Sequence, residues 1–231
     1  MSRSSPAGRL LAAAAVLALT GCDQPSPRHP RLAPRPTPLS TAPIARRPPS
    51  VAWSSADRAF VLYGKTLRAE RSWTFDGSTG GFQATGAGVA PAQGSGLSVQ
   101  LSGPDAALRS PRGLKVRGGA RPLILVRVTR LRAGGAWDGT IYYTTAAHGE
   151  SEKFLARPVV GWDPAVNETV TLVYDMSRLR AGGRDWIKSR IEQIRLDLDD
   201  QPGGAFVIRQ LVIAANPDQV VFRPMGPVSP D

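Results

Sequence analysis

The residues in this chain able to do selective chemistry are few, and most fall between positions 137 and 200. Trp137 precedes Asp138-Gly139, Tyr142 sits in the run TIYYTT, and Trp186 follows Arg184-Asp185. Arg195 and Asp197 alternate with apolar residues in IRLDL, and Trp162 stands apart in GWDP. Flat aromatic rings that carry a polar handle, set beside bidentate side chains, suit sugars: ring C–H groups lie on the aromatic face while hydroxyls bond the polar groups. If Ile141 and Tyr143 face a core, a strand's period of two turns Tyr142 and Thr144 outward. If Ile194, Leu196 and Leu198 face it, Arg195 and Asp197 turn outward too. Should both outward faces belong to one sheet, Tyr142, Arg195 and Asp197 form a polar platform. Trp137 and Trp186, near loops or strand starts, are further ligand-binding candidates.

Catalytic chemistry finds less to build on. His148 is the only histidine outside the first fifty residues. Its surroundings, Ala146-Ala147-His148-Gly149-Glu150, read as an exposed hairpin loop rather than one corner of a nucleophile–base–acid set. Glycoside hydrolysis needs two carboxyls ~5–9.5 Å apart in a cleft. Glu150 with Glu152, and Asp199 with Asp200, read instead as solvated turn charges. The glycines of residues 77–96 lack the strand–GxGxxG–helix setting of a phosphate cradle. A non-enzymatic binding protein is therefore expected.

These side chains need short strands to hold them. Residues 191–198 and 206–213 flank Asp199-Asp200-Gln201-Pro202-Gly203-Gly204, which reads as a strand, a tight loop and a strand, with the rest of the domain packed on that hairpin. The first run alternates apolar and charged; the second is almost continuously apolar, as in a deeply buried strand. Further runs stand at 73–75, 97–101, 114–116, 123–128, 140–145, 152–157 and 169–174. Many short strands between Gly/Pro turns, with no helical period, predict an all-β, antiparallel two-sheet β-sandwich of the jelly-roll type. A propeller would show a ~40–50-residue repeat, and none is present.

In order, the chain reads WTFD, GGF, GSGLSVQLSGPDAALRSPRGLKV, LILVRV, WDGTIYYTT, TLVYDMS, SRIEQIRLD and PGGAFVIRQLVI. This series, spanning Trp73 to Ile213, resembles the galactose-binding-domain-like jelly rolls of bacterial carbohydrate-binding modules. The resemblance implies glycan binding at a loop edge or on a concave sheet face, and makes a structural calcium frequent. In such folds the last strand often carries an acid where this chain has Arg209. Asp76 alone cannot supply the six to eight oxygens calcium takes, so no metal and no other cofactor is expected.

The N-terminus sets the compartment. Arg3 and Arg9 precede an apolar run over residues 10–19, followed by Leu19-Thr20-Gly21-Cys22. This resembles a bacterial lipoprotein signal (residues 1–21) with Cys22 as the lipidated residue. The run is about half the ~20 residues a transmembrane helix needs. Cys22 is the chain's one cysteine, so the exported domain has no disulfide to lean on. Residues 22–50, rich in proline and arginine, have little to bury and read as an extended tether reaching on the order of 80 Å. Residues 51–71 read as a lead-in segment, with a short helix opening at Ser54 or Ser55; an extended strand through residues 60–63 is the competing pattern. The sandwich takes residues 72–223, and 224–231 are a tail. The net charge of +11 would point to nucleic acid in a cytosolic protein. In an envelope protein anchored to a membrane through Cys22 it points instead to an acidic glycan, with an envelope protein as the other candidate partner.

Overall fold

The computed structural model describes residues 50–161 and 163–222. Cys22, the expected signal, the tether up to residue 49, Trp162 and the tail lie outside the described residues. The strands run β1 (Val51–Ser54), β2 (Ala59–Leu62), β3 (Lys65–Thr66), β4 (Ala69–Trp73), β5 (Gln83–Thr85), β6 (Ala87–Pro91), β7 (Leu97–Leu101) and β8 (Ala107–Arg109). They continue as β9 (Val116–Arg117), β10 (Leu123–Arg132), β11 (Ile141–Thr145), β12 (Leu155–Ala156), β13 (Thr169–Asp175), β14 (Arg190–Asp197) and β15 (Ala205–Ala214); one helical turn, α1 (Asp185–Lys188), precedes β14.

They form two six-stranded sheets and one small sheet, all antiparallel. The front sheet has the order β12-β11-β14-β8-β5, with β9 also on β14; the back sheet has β13-β10-β15-β7-β6, with β4 also on β15. Between them lies one core. From the front come Leu108, Ile141, Tyr143, Ile191, Ile194 and Leu196; from the back, Ile124, Val126, Leu172, Tyr174, Phe206, Ile208 and Leu211. The expected two-sheet jelly roll is the observed architecture.

The small sheet, β1-β2-β3, explains why β10 and β15 are apolar on both faces. Phe60, Leu62 and Leu67 pack with Leu123, Leu125, Val173, Val212 and Ala214 on the outer side of the back sheet. A strand covered on both sides has no reason to alternate. This corrects the helix expected to open at Ser54. Ser54 does cap a turn, accepting the Asp57 amide at 3.2 Å, but the turn closes a hairpin. Trp53 and Phe60 pair across it, with their rings edge-on at 5.1 Å. Phe60 and Leu62 therefore bury at a period of two, not on a helical face.

The supposed hairpin of residues 191–213 is the second correction. β14 lies in the front sheet and β15 in the back, so the two strands face each other across the core rather than pairing. Residues 198–204 are an arch between layers. The arch is pinned by Asp199, whose carboxylate takes the Gly134 amide at 2.6 Å and the Arg130 guanidinium at 2.9 Å. A Cβ at Gly134 would stand 2.3 Å from the Gly204 amide nitrogen, so only glycine lets these chains approach. Asp199 is 2% exposed, which overturns its reading as a solvated turn charge. A proline, two glycines and two acids give the same sequence signal for a hairpin and for an arch, because both must turn the chain within six residues.

Candidate functional site

Antiparallel register aligns the outward residues of the front sheet into one row. Tyr142 stands opposite Leu155 on one side and Arg195 on the other. Arg195 stands opposite Arg109, and Arg109 opposite Gln83. The structure thus brings Tyr142, Arg195 and Asp197 together. The Arg195 guanidinium lies over the Tyr142 ring at 4.9 Å, and its Nε and Nη2 donate to the two Asp197 oxygens at 2.7 and 2.6 Å. Asp197 is only 6% exposed, which its outward register alone would not require; Arg195 and its neighbours cover it.

Residues 146–154, between β11 and β12, fold over this row. Glu150 receives Arg109 at 2.6 and 2.8 Å through both oxygens and Arg195 at 3.2 Å. Glu152 accepts the Tyr142 hydroxyl at 2.9 Å, and Asp105 adds a further contact to Arg195 at 3.0 Å. Glu150 is therefore a bridge between two guanidiniums, not the solvated turn charge its loop position suggested. Arg109 is a site residue that sequence reasoning missed; its strand has three residues, too short for alternation to register.

The network's charges tune one another in opposite senses. Arg109, and secondarily Arg195, hold the Glu150 carboxyl below its ordinary range. Burial pushes the Asp197 carboxyl up to about 6, against the pull of Arg195 and helped by Asp138 and Asp105. Burial, then the bond to Glu152, raises the Tyr142 phenol.

Beside the row runs a groove of about 780 Å³, lined by Arg109, Thr144, His148, Glu150 and Gln193 among others. His148 is not the free loop histidine expected. Its ring stacks on Phe154 at 3.4 Å, and its Nε2 lies 2.9 Å from Asp185 Oδ2, which also accepts the Tyr143 hydroxyl at 3.1 Å. Among the described residues no hydroxyl or thiol is hydrogen-bonded to this imidazole, so the geometry of an activated nucleophile is not assembled there.

Of the two predicted tryptophans, Trp186 belongs to the interior, a correction to its reading as a ligand contact, while Trp137 is half-buried. Trp186 is fully buried, with its ring 5.0 Å from Tyr143 and its N–H on the Arg121 carbonyl at 3.1 Å. It plugs one end of the core. Trp137 is a half-buried wedge beside the arch, flanked by Phe206 at 5.9 Å and the Arg130 guanidinium at 5.9 Å. Gly139, at φ +63°, makes room for it: a Cβ there would meet the indole nitrogen at 2.7 Å. Their strand-start positions could not distinguish a core plug from a surface ring.

A second, smaller groove of about 510 Å³ opens on the outer side of the back sheet, lined by Trp53, Arg58, Asp76, Ser95, Arg127 and Arg209 among others. Asp76 and Arg209, the two residues weighed for calcium, meet here. Arg58 already holds Asp76 at 2.5 Å, and the remaining charged groups are guanidiniums. This donor set does not fit a calcium ion, which wants several oxygens and no neighbouring cation. No group of three or more His, Cys, Asp or Glu is placed for a metal among the described residues.

No protein-family model and no curated protein matches this sequence. Among solved structures, the C-terminal family 22 carbohydrate-binding module of Clostridium thermocellum Xyn10B superposes with a TM-score of 0.45 at 15% identity, over 66% of this chain and 97% of that one. A family 29 carbohydrate-binding module from Piromyces equi superposes at 0.41 with 11% identity, over 61% of this chain and 85% of that one. Likeness this low carries no residue and no ligand across to this chain; what its surfaces can bind follows from their own side chains.

Proposed function

We propose that this chain is a lipid-anchored envelope protein whose sandwich binds a glycan, without chemistry, on the outer face of the front sheet. The observation that carries the reading is the row Tyr142–Arg195–Arg109 beside an open groove, with Glu150 and Asp197 fixing both guanidiniums. A sugar hydroxyl both donates and accepts. A face of paired guanidiniums and carboxylates offers each role at fixed positions, and the ion pairs hold the side chains before the ligand arrives, which lowers the ordering cost of binding. The same pairing leaves no excess positive charge on this face. Seven of the chain's arginines lie within residues 1–47, against one acid, Asp23, so more than half of the +11 belongs outside the sandwich. The front face accordingly suits neutral, hydroxyl-rich sugar rather than a polyanion.

The test is a neutral glycan array with the full chain, followed by titration of any hit. Tyr142→Ala and Arg109→Ala should each weaken binding about tenfold or more with the unfolding midpoint still measurable and cooperative. No neutral glycan bound, or binding indifferent to both substitutions, defeats the reading. The anchor is tested apart: Cys22→Ser should abolish incorporation of labelled palmitate and release the protein from the membrane fraction, and a wild-type chain that takes up no label defeats it.

A further inference from the structure

We infer that the groove on the back sheet is a second binding site, for the carboxylate or phosphate oxyanion of an acidic sugar. Three observations carry this. The first is unspent charge. Arg127 is half-buried and donates one bond, to Gln210 at 3.3 Å. Arg209, also half-buried, donates to Thr129 Oγ1 at 3.2 Å and to the Ser95 carbonyl at 3.0 Å. Each guanidinium has five N–H groups, and among the described residues neither has an acidic partner. Of the other half-buried or buried arginines, Arg109, Arg121, Arg130 and Arg195 each have one, and Arg71 instead spends its guanidinium on the Glu70 and Leu114 carbonyls at 3.0 and 2.6 Å. Three guanidiniums thus share the groove with a single carboxylate, Asp76, already held by Arg58.

The second observation is that the backbone is shaped to present them. β10 and β15 pair as Arg127 with Gln210 and then Val128 with Ile208, which leaves Arg209 as the extra residue of a β-bulge. A bulge turns a side chain that would alternate inward to the other face. Here it puts Arg209 beside Gln210 on the outer face, while Ile208 and Leu211 keep the core filled. The third is the wall. The β1–β2 hairpin brings Trp53 to one side and Arg58, in the left-handed region at φ 49°, to the rim. An aromatic wall beside a guanidinium cluster matches a ligand with a ring and an anionic group, whereas a free ion would use the cluster alone.

The experiment is isothermal titration of the full chain at low salt with hyaluronan and oligogalacturonate oligomers, glucose 1-phosphate, the methyl ester of the oligogalacturonate, and inorganic phosphate. Binding of at least one acidic sugar is expected. It should weaken about tenfold or more in Arg127→Gln and in Arg209→Gln, persist in Tyr142→Ala, and fall as salt rises. Arg209→Lys, which keeps the charge, should retain part of it and so separates lost charge from lost fold. The inference is overturned if no acidic sugar binds, if ester and acid bind alike, if both glutamine variants bind as wild type, or if inorganic phosphate matches the sugars in affinity.

Discussion

Arg195 and Arg209 occupy comparable places: each sits on a long strand near the middle of its sheet, on the outer face, half-buried. Their surroundings differ in kind. Arg195 is enclosed by Asp197, Glu150 and Asp105 and lies over a tyrosine ring. Among the described residues Arg209 meets a hydroxyl and a carbonyl but no acid. A guanidinium with its charge matched inside the molecule is a fixture, whose N–H groups hold neighbours in position. One left unmatched keeps its charge for something outside. The same residue type is thus matched inside the molecule on one side of the sandwich and left without an acid, among the described residues, on the other, and the distinction lies in the loops that reach it. Residues 146–154 deliver Glu150 to the front row; among the described residues no segment delivers a second acid to the back groove.

The contrast can be broken by measuring what each arginine's surroundings cost to remove. The extreme case of a matched charge is Arg130, 6% exposed and bonded to Asp163 and Asp199. Arg130→Ala should lower unfolding free energy in urea by about 3–5 kcal/mol, since Asp199 is left buried and uncompensated. Glu150→Ala comes next, at roughly 1–3 kcal/mol, because it removes charge-assisted bonds to two partly covered guanidiniums. Arg209→Ala should cost less than about 1 kcal/mol, as it takes away two bonds to uncharged acceptors and no ion pair. If Arg209→Ala proves as costly as Glu150→Ala, Arg209 is a fixture too and the distinction between the faces fails.

How far these features could be read from the sequence depended on how local their cause is. Alternation along residues 194–198 gave the outward pairing of Arg195 with Asp197, and the β-branched and aromatic run at 141–145 set Tyr142 outward; both follow from the two-residue period. The continuous apolar stretches at 123–126 and 206–208 marked buried strands for the same reason. What decides sheet membership is not local. Nothing in residues 198–204 says whether β15 pairs with β14 or crosses above it, and the small sheet became recognisable only once the outer face of the back sheet was seen to need a cover. Glu150 and Arg109 are 41 residues apart, and Arg209's role depends on a bulge, a mismatch of two registers that neither strand carries alone. Trp137 and Trp186 show the same limit from the other side: ring chemistry is local, burial is not.

The sharpest check on the front network is its pH dependence, because its two carboxyls are shifted in opposite senses. Asp197 has a folded value of about 6 against an ordinary 3.8, so the folded protein holds a proton that the unfolded chain releases. Its contribution to stability is full below about pH 4 and is lost as pH rises through 6. Glu150, held below its ordinary 4.5, works in the other sense: its contribution is full above that pH and is lost only as pH falls below it. Between pH 7 and 5, therefore, Asp197 acts without Glu150. Wild type should gain stability on acidification across this window relative to Asp197→Asn, measured by urea unfolding at fixed ionic strength. A difference that is flat with pH, or that shrinks toward pH 5, would mean that Arg195 overcomes the burial of Asp197 and keeps it ionised, and the front row would then be a stronger ion-pair lattice than its exposure implies.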